Sequence, residues 1–497
     1  MEQMQKISKK FFYLLLFSAV VWSVVPMLRL SLSMDTQEAI VWGKYCLWGT
    51  TKHPPFSGWA AYWWYALWGQ SDKAMYMLSQ IFVLLGVVYI YKLARCFLDE
   101  TRAILAAALQ FGIIYYGYST PEFNVNVISV GLWPMCAYYF WRGYTQNRWY
   151  DWLLFGVLVG LNLLNKYVSA MLFIALGIFI ISDKNIIKLI KNFKIYIAVA
   201  TAILIAAPHI WWLWQNDFEA FKYISQRNHG GAITSGWRHL IYPLKFLGAQ
   251  ILFAAPALLT YLWFWKKNKI TDGGKLSATA QNATSSRFVF CTAIIPAAMF
   301  ALICLVSGNA AKSMWGFPCL FMWGTALFYF APFRVDEKSA NRLLNTMFVW
   351  VALFAVAYGM QCVLTTSQRY RTNVRQVATA FEQKWAEYTD KPLEYVGADV
   401  WFGDIAALYA SHEIKPMIWM KPKNNPWFDK VDFEQKGALL IATDAGEYAQ
   451  YKALYGAQVS EPQKMTLEFQ NYFGKIKTRD VLYGFFEPRE VVNAEEE

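Results

Sequence analysis

The chain has 497 residues, of which 57% are apolar, 18% aromatic and only 16% charged. Soluble domains carry about 45–50% apolar and about 25% charged side chains, so a wholly soluble enzyme, a disordered chain and a small disulfide scaffold are excluded. The net charge of +12 does not describe a nucleic-acid surface, because residues 1–364 hold 30 of the 46 basic but only 14 of the 34 acidic side chains, and the remainder is net negative.

A membrane-spanning helix needs about 20 apolar residues. In chain order, apolar runs at 11–30, 76–94, 103–119, 125–141, 151–165, 167–182, 195–214, 244–265, 288–306, 314–331 and 343–364 predict about eleven spans, with 151–165 short. The first run has no small-residue cleavage site before Asp35 and reads as a retained helix. The Trp- and Tyr-rich stretch 56–69 is too short to cross and reads as a helix lying at the interface. Most Lys and Arg fall in alternate connections, which puts the N-terminus in the cytoplasm by the positive-inside rule. Eleven spans then place the C-terminal portion outside. The segment 266–287 is a polar Gly/Ser/Thr-rich linker between spans. Residues 1–364 are thus expected to form the membrane domain and 365–497 a small α/β domain. In the latter, 373–388 is a predicted helix, and LEYVGADVWFG and GALLIAT contain the predicted strands. No internal repeat is visible.

With that orientation, six acids before residue 365 lie on the outer side: Asp35, Glu38, Asp72, Glu122, Asp217 and Glu219. Asp35 and Glu38 share a face if their loop is helical, an arrangement suited to a general base and its helper. They suit equally a capping box, with Asp35 as the cap and Glu38 reaching back. Lys52-His53-Pro54-Pro55 fixes a cation and an imidazole on a rigid turn, where they can meet a lipid phosphate or simply anchor the interface. Asn124 and Asn126 open the fourth run and can bond a sugar or cap a helix. Lys166, in Asn165-Lys166-Tyr167, stands between two short runs. Lys312 lies in a tight turn before Trp315. The stretch 215–243 carries Arg227, His229, Gly230 and Gly231, as a loop over a site would. Each of these cations can instead snorkel to the interface. Trp211, Trp212 and Trp315 can stack on a sugar or merely pack.

The order of these elements resembles the bacterial family of membrane glycosyltransferases with the GT-C fold, among them protein O-mannosyltransferases and the lipid A aminoarabinose and galacturonic acid transferases. The resemblance rests on Asp35-Thr36-Gln37-Glu38, Trp48-Gly49, Lys52-His53-Pro54-Pro55, Phe123-Asn124-Val125-Asn126, Asn165-Lys166-Tyr167, the Trp211–Asp217 stretch and Lys312-Ser313-Met314-Trp315-Gly316. It covers about residues 30–330 and implies a polyprenyl-phosphate-linked sugar donor, an acceptor outside the cytoplasm and inversion at the anomeric carbon. It also implies that Asp35 is the general base, with Glu38 assisting it or holding the loop. The family's aminoarabinose transferases carry Glu-Lys before the Pro-Pro, whereas Lys52-His53 stands here. Phosphate binding then shifts toward Lys52, His53, Lys166, Arg227 or Lys312, and any metal site using that missing carboxylate falls into doubt. Asn124, Asn126, Tyr167, Trp211 and Trp315 are the implied sugar or acceptor contacts.

The expectation is therefore a bacterial inner-membrane glycosyltransferase. It would move one sugar from undecaprenyl phosphate to lipid A, its core or another envelope glycan at the periplasmic face. No cofactor is required by the sequence and a divalent metal is left open. Membrane lipids are partners, nucleic acid is not, and a monomer is expected. The alternative is a transporter or flippase for a lipid-linked sugar, which needs polar residues at mid-membrane depth.

Overall fold

A computed structural model describes residues 2–184, 186–228, 235–268 and 283–488, with the side chains of 224–228 outside the description. The linker expected at 266–287 and the His229-Gly230-Gly231 loop fall mostly or wholly outside the described residues, as does the side chain of Arg227.

The chain divides into two compact units that are interleaved in sequence. One comprises residues 1–26, 48–57 and 73–358, and the other residues 27–47, 58–72 and 359–497.

The first unit is helical. It contains α1 (Glu2–Val24) and, following the connection described below, α4 (Asp72–Ala94), α5 (Glu100–Ala108), α6 (Val125–Gln146), α7 (Trp149–Asn165), α8 (Ala170–Ile181), α9 (Ile186–Ile190) and α10 (Phe193–Gln215). Then come α11 (Glu219–Asn228), α12 (Arg238–Lys267), α13 (Ala283–Ser307), α14 (Trp323–Phe330) and α15 (Glu337–Leu364), whose last turns belong to the second unit. Among the described residues six helices are long and apolar enough to cross a membrane: Glu2–Leu28, Asp72–Ala94, Phe193–Gln215, Arg238–Lys267, Ala283–Ser307 and Glu337–Leu364. The protein is a polytopic helical membrane protein.

The other apolar runs do not all become single helices. The run at 103–119 breaks after α5 into the short 3-10 turns Leu109–Gly112 and Ile114–Tyr116. The run at 314–331 opens as the 3-10 turn Ser313–Leu320, which contains Pro318, before α14 begins. Hydropathy records that these segments are buried in something apolar, whereas continuity depends on local backbone chemistry. Broken backbone of this kind is tolerated at membrane depth where protein surrounds it, and Leu109–Gly112 and Gly316–Leu320 are buried throughout.

The second unit joins two helices between the first two spans, α2 (Met34–Lys44) and α3 (Phe56–Leu67, from Gly58 on), to the C-terminal α/β fold. That fold holds α16 (Gln368–Arg371), α17 (Val374–Ala386), β1 (Tyr395–Ala398), α18 (Val400–Tyr409), β2 (Lys415–Ile418), α19 (Lys430–Lys436), β3 (Ala438–Ala442), α20 (Ala445–Tyr455), β4 (Gln463–Gln470) and β5 (Ile476–Phe486). The sheet order is β2-β1-β3-β5-β4, with β1 parallel to both β2 and β3 and β5 antiparallel to β3 and β4. One face packs α17 and α18 through Phe381, Trp385, Phe402 and Ile405, and the other packs α19 and α20 through Phe433, Tyr448 and Tyr451. β4 alternates strictly, sending Met465, Leu467 and Phe469 into the core, the period-2 pattern of a strand with one buried face. The helix expected at 373–388 forms over Val374–Ala386 and GALLIAT holds β3, but of the run LEYVGADVWFG only Tyr395–Ala398 is strand, since Asp399 caps a helix and Val400 onward is α18.

Candidate active site

α2 carries the acidic pair. It begins after Ser33, whose extended backbone makes it the N-cap. The Ser33 hydroxyl lies 2.8 Å from the Thr36 hydroxyl, and Gln37 donates back to the Leu32 carbonyl at 3.0 Å. Asp35 thus stands inside the first turn and is not the capping residue. This removes the capping-box alternative, whose cap would have been Asp35. The loop is helical, so Asp35 and Glu38 occupy positions i and i+3 of one face. Asp35 is half-buried and Glu38 buried. Asp35 also sits in the first turn of α2, at the positive end of the helix dipole.

α2 is clamped from several sides within its unit. It packs against α18, and Met34 rests on the core of the α/β fold. Gly43 and Gly58 let α2 and α3 touch backbone to backbone, since a Cβ at Gly43 would collide with the Gly58 carbonyl. At the end of α2, Lys44 pairs with Glu413 at 2.8 Å, and the Tyr45 ring stacks on Trp427 at 4.4 Å between centroids. Upstream, Arg29 donates to the Arg369 carbonyl at 2.7 Å and Leu30 NH to the Tyr370 carbonyl at 3.0 Å.

The other expected site residues lie in the first unit, where α6 is the scaffold. Asn124 is the N-cap of α6, its side chain accepting from Asn126 NH at 2.8 Å, so of the two uses left open for it the structure displays capping. Asn126 is buried and its side-chain oxygen accepts from the Lys166 ammonium. Lys166 occupies the break between α7 and α8 and is only 7% exposed. Beneath it Asn165 donates to the Val125 carbonyl at 2.9 Å and to the Ser129 hydroxyl at 3.0 Å. A lysine buried this deeply is costly without polar partners.

A second chain of contacts links Tyr167 to the Lys52–His53 turn. The Tyr167 hydroxyl lies 3.0 Å from Nε2 of His209, and Nδ1 of His209 lies 2.6 Å from the Trp48 carbonyl. Gly49 presses on the Trp212 ring, leaving no room for a Cβ. Thr50 then ties the turn: its hydroxyl accepts from His53 NH at 2.9 Å and Lys52 NH at 3.2 Å, while its own NH donates to the His53 carbonyl at 3.0 Å. Lys52 and His53 are both half-buried. Trp211 is 63% exposed, so of the two adjacent tryptophans it is Trp212 that faces this turn.

Lys312 is exposed and opens the Ser313–Leu320 turn. That turn packs on α6 and α12 and is anchored by Gln250 and Tyr115, which donate to the Ser313 carbonyl at 3.1 and 2.8 Å. Trp315 is half-buried against Phe300 at 6.2 Å. Three residues of this arrangement were not anticipated: His209, Thr50 and Gln250. A histidine beside Pro208 in an otherwise apolar span was the available signal. Among the described residues no three His, Cys, Asp or Glu side chains are grouped to hold a metal ion.

A family model described as dolichyl-phosphate-mannose-protein mannosyltransferase matches residues 52–212, the stretch running from the Lys52–His53 turn through Asn126, Lys166 and His209 to Trp212. The lipopolysaccharide core galacturonosyltransferase RgtB of Rhizobium johnstonii is 24% identical over 297 residues, 59% of this chain and 59% of that protein. RgtA of the same organism, with the same description, is 26% identical over 233 residues, 45% of this chain and 46% of that one. The matches thus span about half the length of these relatives. The crystal structure of ArnT from Cupriavidus metallidurans bound to undecaprenyl phosphate superposes with a TM-score of 0.63 at 12% identity, covering 95% of this chain and 97% of that one. Its apo form gives 0.58 with the same coverage. At such identity the likeness establishes the fold, which is of the ArnT-like GT-C type, helical membrane region and C-terminal α/β fold together.

Proposed function

We propose that the protein is a polyprenyl-phosphate-sugar-dependent glycosyltransferase that moves one sugar from undecaprenyl phosphate to an envelope lipid or glycan such as the lipopolysaccharide core or lipid A. In this reading eleven segments cross the bacterial inner membrane, the N-terminus is cytoplasmic, α3 lies at the interface and the α/β fold is periplasmic. The single observation that carries it is the buried Lys166 ammonium on Asn126, inside the region matched by the family.

In the proposed reaction the acceptor oxygen attacks the anomeric carbon and the bond from that carbon to the phosphate oxygen breaks, with inversion. Asp35 takes the acceptor's proton, and Glu38 on the next turn supports it. The leaving lipid phosphate already carries negative charge, so its departure calls for cations rather than a general acid. Lys166, with Lys52, His53, Arg227 and Lys312, would supply them. Asn126, Tyr167, Trp211 and Trp315 would meet the sugar or acceptor. Holding acceptor, anomeric carbon and leaving group in line supplies the remainder.

The test is sugar transfer by protein purified in detergent, where transport across a bilayer is impossible. Transfer by the parent and none by Asp35→Asn, with unchanged purification and thermal unfolding, is the expected outcome. A parent that transfers nothing in detergent yet moves lipid-linked sugar across reconstituted vesicles would instead favour the transporter, and normal transfer by Asp35→Asn would remove that residue as the base.

A further inference from the structure

The connection between α8 and α10 forms a concavity with the C-terminal end of α6. Its volume is about 590 Å³ and it is lined by Asn147, Lys184, Ile187, Lys188, Lys191 and Asn192. Each lining residue has a local cause. Asn147 ends α6 in the left-handed conformation (φ 50°), which Asn tolerates better than most residues. Its side-chain oxygen accepts from Asn192 at 2.6 Å, and its carbonyl accepts from Lys194 at 2.8 Å. Asn192 in turn caps α10 through Lys194 NH at 3.2 Å. The floor is therefore a fixed pair of amides. The five-residue α9 holds Leu189 buried beneath, leaving Lys188 and its flanking Lys184 and Lys191 exposed around the opening.

Charge makes this concavity unusual. Among the described residues three lysines and no carboxylate line it. The nearest acids in sequence are committed elsewhere: Asp183 is buried, bonded by the Tyr144 hydroxyl and 3.6 Å from Arg287, and Asp151 is buried 3.1 Å from Arg142. The other cations of the neighbouring elements, Arg148 and Lys194, add to the same sign, with Arg148 turned to the Tyr150 hydroxyl at 2.7 Å. Orienting a chain in a membrane requires lysines on this connection, but it does not require three of them around one cavity. Gathering like charges costs energy that an anion recovers.

Besides Ile187 in the lining, the adjoining helices expose apolar side chains. Ile181, Ile187, Ile190, Phe193 and Tyr196 are 74%, 65%, 52%, 68% and 53% exposed, and Phe193 is the first residue of the spanning helix Phe193–Gln215. The cavity thus opens at the end of a span, where lipid headgroups lie, beside a surface that acyl chains cover. A cavity of this size exceeds a bare phosphate ion and falls in the range of small-molecule sites. Basic pockets at helix ends are a recognised way to hold anionic headgroups. We infer that this cavity is a binding site for an anionic glycerophospholipid, its phosphate among Lys184, Lys188 and Lys191, its glycerol on the Asn147–Asn192 amides and its chains along Ile187, Ile190 and Phe193. This lipid is distinct from the proposed donor, and the inference stands or falls independently of the transfer reaction.

Native mass spectrometry of the full chain, titrated with phosphatidylglycerol or phosphatidylcholine, reads the site directly. Phosphatidylglycerol is expected to bind at least tenfold more tightly, and the combined Lys184→Gln, Lys188→Gln, Lys191→Gln variant to lose that preference while unfolding at the parent temperature in phosphatidylcholine. For the parent alone, the phosphatidylglycerol affinity is expected to fall as salt rises from 50 to 500 mM, roughly through screening of exposed charges. Equal affinity of the parent for both lipids, or an unchanged preference in the triple variant, overturns the proposal. A salt-insensitive preference does the same should the variant not fold. Lysine-dependent binding of glycerol 3-phosphate as tight as that of the lipid would replace it with a soluble phosphate ligand.

Discussion

Lys166 and His209 are the two polar side chains whose placement in apolar surroundings asks most for a reason. Lys166 donates to Asn126 at the start of α6, and a hydrogen bond to a charged group contributes about 1.5–3 kcal/mol. Lys166→Ala is therefore expected to raise the donor KM roughly tenfold or more, since each 1.4 kcal/mol is a factor of ten, with a smaller change in kcat. Asn126→Leu should move the same constant in the same direction by less, because the ammonium remains. Steady-state kinetics with varied donor separates the two. Lys166 was legible in the sequence because a cation between two short apolar runs has no solvent to occupy. His209 was not, because one imidazole in a span carries no spacing pattern. Its meaning depends on Tyr167, 42 positions away, and on the Trp48 carbonyl, 161 away. Asp35 lies between these cases. Its residue type was legible, whereas its place inside the first turn of α2 depended on Ser33 taking the cap.

At the scale of elements, α2 is held by fit rather than by charge. The Gly43–Gly58 contact leaves no room for a methyl group, so Gly43→Ala must move one helix. Overpacking of this kind costs about 1–3 kcal/mol. It is expected to lower thermal stability and to reduce kcat more than donor KM, because the displaced helix carries Asp35. The β1–α18 and α19 regions answer to pH with opposite sign. Burial pushes the Asp399 carboxyl, at the end of β1, up to about 6 against its capping bond to Phe402 NH. Its contribution is fully present below the ordinary carboxylate value near 3.8 and lost as pH rises through 6. Bonds from Lys436, Tyr395 and Lys415 hold Asp432 down at about 2, so its contribution is present above 3.8 and lost as pH falls through 2. Amide hydrogen exchange is expected to show Asp399→Asn, which keeps a capping oxygen, protecting β1 and α18 better than the parent at pH 7 but not at pH 4. Asp432→Asn should loosen α19 at pH 7 and do so much less at pH 2. The helix α17 was legible from its period-3.6 pattern and β1 and β3 from short apolar runs, whereas the start of α18 was read as strand. The interruptions at 109–116 and 313–320 were not, because an apolar run reports its surroundings and not its backbone.

For the whole molecule, composition divides the chain at about residue 364, and packing divides it differently. Residues 27–47 and 58–72 pack with 359–497, a pairing over more than 300 positions that no local pattern announces. Order of synthesis gives this arrangement a consequence in time. The helix bearing Asp35 leaves the ribosome well before the surface it packs on, α18 and the core beneath Met34. Until residues through β5 exist, α2 has its sequence but not its seat. Under the proposed function, a ribosome stalled before α18 would leave spans in the membrane while the candidate base is not yet seated.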